Sequence, residues 1–321
     1  MQKLDNYIFI CVQPYDFYFY WQVEVLITNF RKHAVSNYMH VIVWFPEEKK
    51  KETVNWEKLK DKYPEVSFFY YVDSGNTNIQ LYIPQLRADA LIQHFEKYPE
   101  LREKTIFYHD CDIIFNYLPG FEGLAKGEIN WQSNTSSYLD YDYLAGKEKE
   151  GNIKEHEVIG KMAQIGGITT DIIKSYTGKT GGAQYILKGI DADFWRDAKR
   201  MMIQLRQLLF YGHTPSINKT YFASENAGFQ SWCADMWAVN FSLWKRGKVT
   251  DITPKLDFSW ATDDAETYML KPIFHNAGVS ALSNGLFYKA KWMTSSPIGK
   301  RHNVKKDTAS YFYVKAIQEV K

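Results

Sequence analysis

The chain has 321 residues, enough for one large α/β domain, and we expect a single domain over residues 1–321. Lys and Arg number 39 and Asp and Glu number 37, a net charge of +2, which excludes a strong general attraction to nucleic acid. The three cysteines, Cys11, Cys111 and Cys233, are far apart, which argues against a disulfide framework and for a reducing compartment. The first apolar run is too short for a signal peptide or a membrane span. We therefore expect a cytoplasmic protein, in the host cytoplasm if the chain is virus-encoded.

The first half of the chain alternates strand-like and helix-like patterns. Short apolar runs rich in β-branched and aromatic residues predict buried strands at Tyr7–Val12, His40–Phe45, Val66–Val72 and Lys104–Tyr108. Apolar residues at helical spacing lie between the first two runs, from Val23 to Phe30, and between the last two, from Ala88 to Phe95. Strand, helix and strand in repetition predict an α/β fold with a mostly parallel, doubly wound sheet flanked by helices.

Two acids follow the fourth predicted strand, in the sequence YHDCDIIF. Asp110 and Asp112 are two residues apart, so in extended chain their side chains point to the same side. Adjacent carboxylates repel each other and are tolerated where a divalent cation or a base neutralises them. Ligands of such sheets lie beyond the carboxyl ends of the strands, so we predict a metal site here with His275, after a short apolar strand, as third ligand. A solvated turn at a strand end is the alternative.

The second half is more mixed. We predict an exposed, flexible loop over Leu144–Lys161, a glycine turn into a strand over Gly181–Leu187, and a helix over Asp191–Phe210 capped by Asp191. A further helix is predicted within Ser224–Trp244, with Trp232 in one of its apolar rows. Since this helix is apolar on nearly all sides, it should be buried.

The ordered combination of the early strands, YHDCDIIF, GGAQYIL, an aromatic helix that carries an acid, and FHNAGV resembles the GT-A-fold glycosyltransferases, which are Rossmann-like. Within that fold the chain looks closest to the hydroxyproline O-arabinosyltransferases and the related peptidyl-serine galactosyltransferases of plants and algae. The resemblance extends roughly from Tyr7 to Val279.

The resemblance implies transfer of a hexose or pentose from a UDP-sugar to a hydroxyl acceptor, with retention of configuration. It also implies a Mn²⁺ (or Mg²⁺) ion held by Asp112, with Asp110 touching the ribose or the metal and His275 completing the metal shell. We expect the nucleotide in residues 1–120, the donor sugar and acceptor in 121–290, and a basic tail in 291–321. We expect no membrane anchor of the kind that the plant enzymes carry, which leaves the acceptor open: a peptide hydroxyl, a glycan, a small molecule or a modified base of phage DNA.

Further binding candidates come from the same comparison. Arg87 would approach the nucleotide diphosphate or base, since a guanidinium binds phosphate through paired hydrogen bonds; a surface arginine is the alternative. Gln13 lies where these enzymes contact the base, although Pro14 alone accounts for a turn there. Gly181 and Gly182 would let backbone approach the donor sugar, or form a turn without a ligand.

Three acids are candidate catalytic residues. Asp235 lies on a helix predicted to be buried, so its charge indicates a polar cavity. There it could orient the acceptor or the donor sugar, or act as a base if the reaction inverts. A salt bridge to Lys245, Arg246 or another cation is the alternative. Trp260, Asp263 and Asp264 combine an aromatic face with paired acids, a common way to hold sugars; a surface loop explains them equally.

Two other functions stay open. A non-catalytic module on a GT-A scaffold would bind a glycan or nucleic acid through its aromatic residues and the basic stretch Lys300–Lys306. A nucleotidyltransferase also uses paired acids and a divalent cation, but the first strand is not followed by a phosphate-binding run of glycine and lysine.

Overall fold

The computed structural model describes residues 4–48, 50, 54–75, 77, 82–211 and 228–321. The chain divides into two compact units. The first unit comprises Met1–Asp73, Thr105–Ala125 and Pro254–Lys321, and the second comprises Ser74–Lys104 and Lys126–Thr253. Each unit therefore combines separate segments of the chain. The expected division of roles between residues 1–120 and 121–290 stays a prediction.

The first unit contains the early strands and the C-terminal part of the chain. With elements numbered in chain order, its strands are β1 (Tyr7–Pro14), β2 (Met39–Phe45), β3 (Ser67–Val72), β4 (Thr105–His109), β5 (Ile113–Phe115), β9 (Phe258–Trp260) and β10 (Ile273–His275). Its helices are α1 (Phe17–Lys32), α2 (Trp56–Lys62), α4 (Phe121–Leu124), α10 (Ala265–Leu270) and α11 (Ala309–Glu319).

Four of these strands pair in the order β3–β2–β1–β4, and every neighbouring pair is parallel. The strands β1, β2 and β4 are almost wholly buried, as expected for a sheet covered on both faces. The four strands predicted from the sequence are all present, with ends shifted by at most two residues. The prediction of an α/β fold with a mostly parallel sheet is confirmed.

A second, three-stranded sheet in the same unit has the order β5–β10–β9. Strand β10 is antiparallel to β5 and parallel to β9. One apolar cluster packs residues of α1, such as Trp21, with Ile114 of β5, Phe274 of β10 and Tyr313 of α11. This core fixes the small sheet directly after the end of β4.

The second unit contains the strands β6 (Asn130–Asn134), β7 (Gly181–Lys188) and β8 (Thr250–Ile252). Its helices are α3 (Gln85–Lys97), α5 (Tyr141–Glu150), α6 (Glu157–Gly166), α7 (Thr170–Ser175), α8 (Ala192–Tyr211) and α9 (Ala234–Lys245). Strand β6 is antiparallel to β7 and parallel to β8. The prediction of α8 is confirmed, including its cap, because the backbone N–H of Phe194 donates to Asp191 at 2.9 Å.

Two sequence predictions for this unit are wrong. Residues 144–161 do not form a flexible loop, since they belong largely to α5 and α6, whose apolar residues Leu144, Val158 and Ile159 are buried. Trp232 is 56% exposed, because it lies in a short 3₁₀ turn before α9 and the helical spacing does not extend back to it. Residues 224–227 of the predicted helix lie outside the described residues.

Candidate metal centre

The carboxyl end of β4 carries the two acids. Strand β4 ends at His109, Asp110 follows at once, and Asp112 directly precedes β5. His275, the last residue of β10, is paired with Ile113 of β5. The backbone N–H of Asn276 donates to the carbonyl oxygen of Asp112 at 2.9 Å. The antiparallel pairing of β5 with β10 therefore brings His275 to the acids across a long stretch of sequence.

The three side chains converge. The Nε2 atom of His275 lies 3.5 Å from Oδ2 of Asp110 and 3.4 Å from Oδ1 of Asp112. One ligand atom from each of the three residues lies within 4.8 Å of the others. Asp112 and His275 are buried, while the side chain of Asp110 is 16% exposed. Two carboxylates and one imidazole are a donor set that suits Mn²⁺ and allows Mg²⁺, so these residues fit a divalent cation.

Aromatic packing orients the imidazole of His275. The ring stacks on Trp260, with centroids 5.8 Å apart and an interplanar angle of 19°, and meets the edge of Phe258 at 5.3 Å. Both aromatic residues belong to β9, the parallel neighbour of β10. The Nδ1 atom is buried and makes no hydrogen bond within the described part of the chain. The ring is thus positioned by stacking, with Nε2 toward the acids.

A lysine that the sequence analysis did not identify completes the cluster. The Nζ atom of Lys289 is in direct contact with Oδ2 of Asp112. Lys289 opens a 3₁₀ turn that ends at Trp292, and the indole N–H of Trp21 donates to the carbonyl oxygen of Trp292 at 3.0 Å. Helix α1 therefore anchors the turn that carries the lysine. A contact between residues 177 positions apart leaves no signal in local spacing.

The charges at this centre depend on one another. Burial alone would raise the pKa of Asp112, but the positive charge of Lys289 and the interaction with His275 outweigh it and hold the pKa well below its ordinary range. Burial would lower the pKa of Lys289, and the carboxylate of Asp112 raises it above the usual lysine value. Asp112 and Lys289 therefore form an ion pair in the folded chain.

The imidazole before the acids has a different role. His109 is 2% exposed, and burial lowers its pKa to about 4. Its Nδ1 atom lies 2.8 Å from the carbonyl oxygen of Asp110, and its ring stacks on Phe107 with centroids 4.7 Å apart. This histidine is a neutral core residue near neutral pH.

The structure gives local partners to the other predicted site residues of the first unit. The side-chain amide of Gln13 donates to the carbonyl oxygen of Ile42 at 2.7 Å, while its Oε1 is buried without a hydrogen-bond partner among the described residues. Asp263 accepts from the backbone N–H of Trp260 at 2.8 Å. Asp264 is exposed and caps α10 by accepting from the N–H of Thr267 at 2.7 Å. Both acids therefore stabilise the turn before α10, and their catalytic role stays a prediction.

Gly181 and Gly182 of the second unit have a packing explanation. A Cβ atom on Gly181 would lie 2.0 Å from the carbonyl oxygen of Ser133, and one on Gly182 would lie 2.7 Å from the sulfur of Met236. Strand β7 can approach its neighbours only without these side chains. The predicted role beside the donor sugar stays a prediction.

The second unit also contains Asp235 and Arg87. Asp235, at the start of α9, accepts from the hydroxyl of Tyr82 at 2.8 Å, and its backbone N–H donates to the same hydroxyl at 3.0 Å. Lys245 and Arg246, its predicted alternative partners, instead contact Asp197. Arg87 is a half-buried residue of α3.

Comparison with protein-family models and with curated proteins finds no match to the chain. Among solved structures, the chain is similar to the apo structure of the WbbM bifunctional glycosyltransferase, with a TM-score of 0.45 and 11% identity over 86% of this chain and 46% of that one. It is also similar to apo mouse xyloside xylosyltransferase 1, with a TM-score of 0.41 and 8% identity over 84% and 97% of the two chains. The chain spans about half the length of WbbM.

Within the described residues, none of the helices has the length and apolar character required to cross a bilayer.

Proposed function

We propose that the protein is a metal-dependent glycosyltransferase that moves a sugar from a UDP-sugar to a hydroxyl acceptor with retention of configuration. The observation that carries the proposal is the convergence of Asp110, Asp112 and His275 at the carboxyl end of β4. Parallel α/β sheets bind their ligands at this edge. The carboxylates and the imidazole would hold Mn²⁺ or Mg²⁺.

The chemistry of the centre suits a diphosphate leaving group. A divalent cation bound here would supply positive charge to the diphosphate oxygens. Lys289, in contact with Asp112, adds positive charge next to the same position. Trp260 holds the His275 ring in place by stacking, so the donor set is arranged before any ligand arrives.

The sequence adds support of a different kind. The order of the early strands, YHDCDIIF, GGAQYIL and FHNAGV resembles that of the hydroxyproline O-arabinosyltransferases and peptidyl-serine galactosyltransferases, which is our reason for proposing a UDP-sugar and retention. Roles for Asp235, Asp263 and Asp264 toward the acceptor, and for Gln13 and Arg87 toward the nucleotide, stay predictions.

The test is release of UDP from a panel of UDP-hexoses and UDP-pentoses, measured with Mn²⁺ and again with EDTA. We expect metal-dependent release from one or a few donors, since hydrolysis of the donor in water usually accompanies a competent site. The variant Asp112→Asn should lose this activity at least a hundredfold, because it removes one ligand charge next to the leaving group.

The matched control is Asp61→Asn, which makes the same change at an exposed aspartate of α2 and should retain full activity. UDP release that is equal in EDTA, or that survives in Asp112→Asn, would contradict the proposal. Glycan or DNA binding without release of UDP from any donor would favour the non-catalytic binding module.

A further inference from the structure

Lys289 and His275 contact different oxygens of the same carboxylate. His275 Nε2 lies nearest to Oδ1 of Asp112, whereas Lys289 Nζ contacts Oδ2. The oxygen of Asp112 nearest to His275 is thus not the one that the lysine contacts. Asp112 can therefore contact two positive groups at once. One is a cation shared with Asp110 and His275, and the other is the ammonium of Lys289. The two positive groups would then lie close together.

The charge of the centre follows from these groups. Two carboxylates and one ammonium leave a net charge of about −1, since a metal-binding imidazole is neutral. A divalent cation would change this to about +1 in a largely buried site, where unbalanced charge is strongly unfavourable. An anionic ligand would offset this excess positive charge. A diphosphate is such a ligand.

Without Lys289 the balance would be different. The two carboxylates alone would carry a charge of about −2, which a divalent cation neutralises by itself. The lysine is held at this position by the turn anchored on Trp21, so its charge is a fixed property of the folded centre. Its exposed neighbour Lys291 is on the same turn.

We propose that Lys289 couples the two ligands, so that the centre binds a divalent cation tightly only together with an anionic diphosphate. This inference rests on the proposed function, and it states that binding of the cation at this centre depends on the diphosphate. By linkage, the cation must raise the affinity for the diphosphate by the same factor as the diphosphate raises the affinity for the cation. Lys289 is a positioning residue: it sets the charge of the centre through its contact with Asp112 and does not itself bind the cation.

Isothermal titration of Mn²⁺ into the intact protein, with and without saturating UDP, tests the coupling. In the wild-type chain we expect UDP to lower the dissociation constant of Mn²⁺ at least tenfold. In Lys289→Met we expect Mn²⁺ alone to bind at least tenfold more tightly than in the wild type, and UDP to add little. Lys289→Arg keeps the charge and should keep the coupling, and the matched control Lys291→Met should behave as the wild type.

Failure of the inference differs from failure of the proposed function. If Mn²⁺ binds the wild-type chain and is lost in Asp112→Asn, but Lys289→Met binds it no more tightly, the metal centre stands and the coupling is wrong. If neither the wild-type chain nor Lys289→Met binds Mn²⁺ with or without UDP, both are wrong. Thermal unfolding of each variant verifies that it is folded at the titration temperature.

Discussion

At the residue scale, the residues of the candidate centre differ in how readily the sequence predicts them. Asp110 and Asp112 could be predicted because their spacing and their place after a strand are local features. His275 could be predicted less directly, from its position after a short apolar run. Lys289 could not be predicted, since its contact with Asp112 depends on the packing of a distant turn against α1. Tertiary contacts of this kind leave no periodic pattern.

The glycines of β7 have a packing explanation beside their predicted binding role, and a substitution can separate the two. We predict that Gly181→Ala lowers the free energy of unfolding by at least about 2 kcal/mol, because the new methyl group would lie 2.0 Å from a backbone oxygen and strand backbone must shift. Urea unfolding measures the effect. If stability is unchanged while binding of UDP-sugar is lost, the ligand role is correct and the packing explanation is wrong.

The matched control for this substitution is Gly146→Ala within α5. A Cβ atom there meets no heavy atom within 4 Å, and alanine has the higher helix propensity. We expect a gain of about 0.5–1 kcal/mol.

At the element scale, α5 shows why a polar sequence does not always form a loop. Glu148 at the end of α5 is 2% exposed. It accepts hydrogen bonds from the backbone N–H groups of His156, Val158 and Ile159, at 2.8, 2.7 and 3.0 Å. One carboxylate thus satisfies three donors at the start of the next helix. The sequence analysis placed this glutamate inside the loop predicted over Leu144–Lys161, since nothing local distinguishes it from its neighbours.

We predict that Glu148→Gln destabilises α6. The amide has one acceptor oxygen and no charge, so one or more buried N–H groups lose a charge-assisted partner, and the free energy of unfolding should fall by about 1–3 kcal/mol. Hydrogen exchange at residues 156–159 should become faster. The control Glu150→Gln changes an exposed acid that pairs with Lys147 and should alter stability by less than about 0.5 kcal/mol. Equal exchange in both variants would contradict this account of the helix.

The elements of the first unit were predicted more successfully than those of the second. Buried parallel strands such as β1, β2 and β4 are continuous apolar runs, and such runs are distinct in any sequence. Helix α5 contains glycine and many charges, so its stability depends on caps and on tertiary packing. The local sequence pattern therefore predicts such helices less reliably than it predicts buried strands.

At the scale of the whole molecule, histidines whose pKa is lowered by folding make stability depend on pH. Burial lowers the pKa of His40 on β2 to about 4, below the value of about 6.5 for an unfolded chain. Between these values the unfolded state binds more protons than the folded state, so stability rises with pH. We therefore expect the free energy of unfolding to fall as the pH decreases from about 6.5 to about 4, by at most about 3 kcal/mol for this histidine.

Urea unfolding at several pH values measures this dependence. The variant His40→Phe removes the titrating group but keeps a ring to pack on Phe69, whose centroid is 4.7 Å away. The decrease in stability over this pH range should be smaller in the variant than in the wild-type chain. His109, whose pKa is also lowered to about 4, would supply part of the remaining dependence. An unchanged pH profile in His40→Phe would contradict the assignment.

The central claim is that Asp110, Asp112 and His275 hold a divalent cation that binds a nucleotide diphosphate. The most direct measurement is the melting temperature of the wild-type chain and of Asp112→Asn with UDP, each with Mn²⁺ and with EDTA, because a ligand specific for the folded state stabilises it. We predict a clear rise for the wild-type chain when Mn²⁺ and UDP are both present, and none in EDTA or in Asp112→Asn. An equal rise in the variant, or no rise in the wild-type chain with both ligands, would contradict the claim.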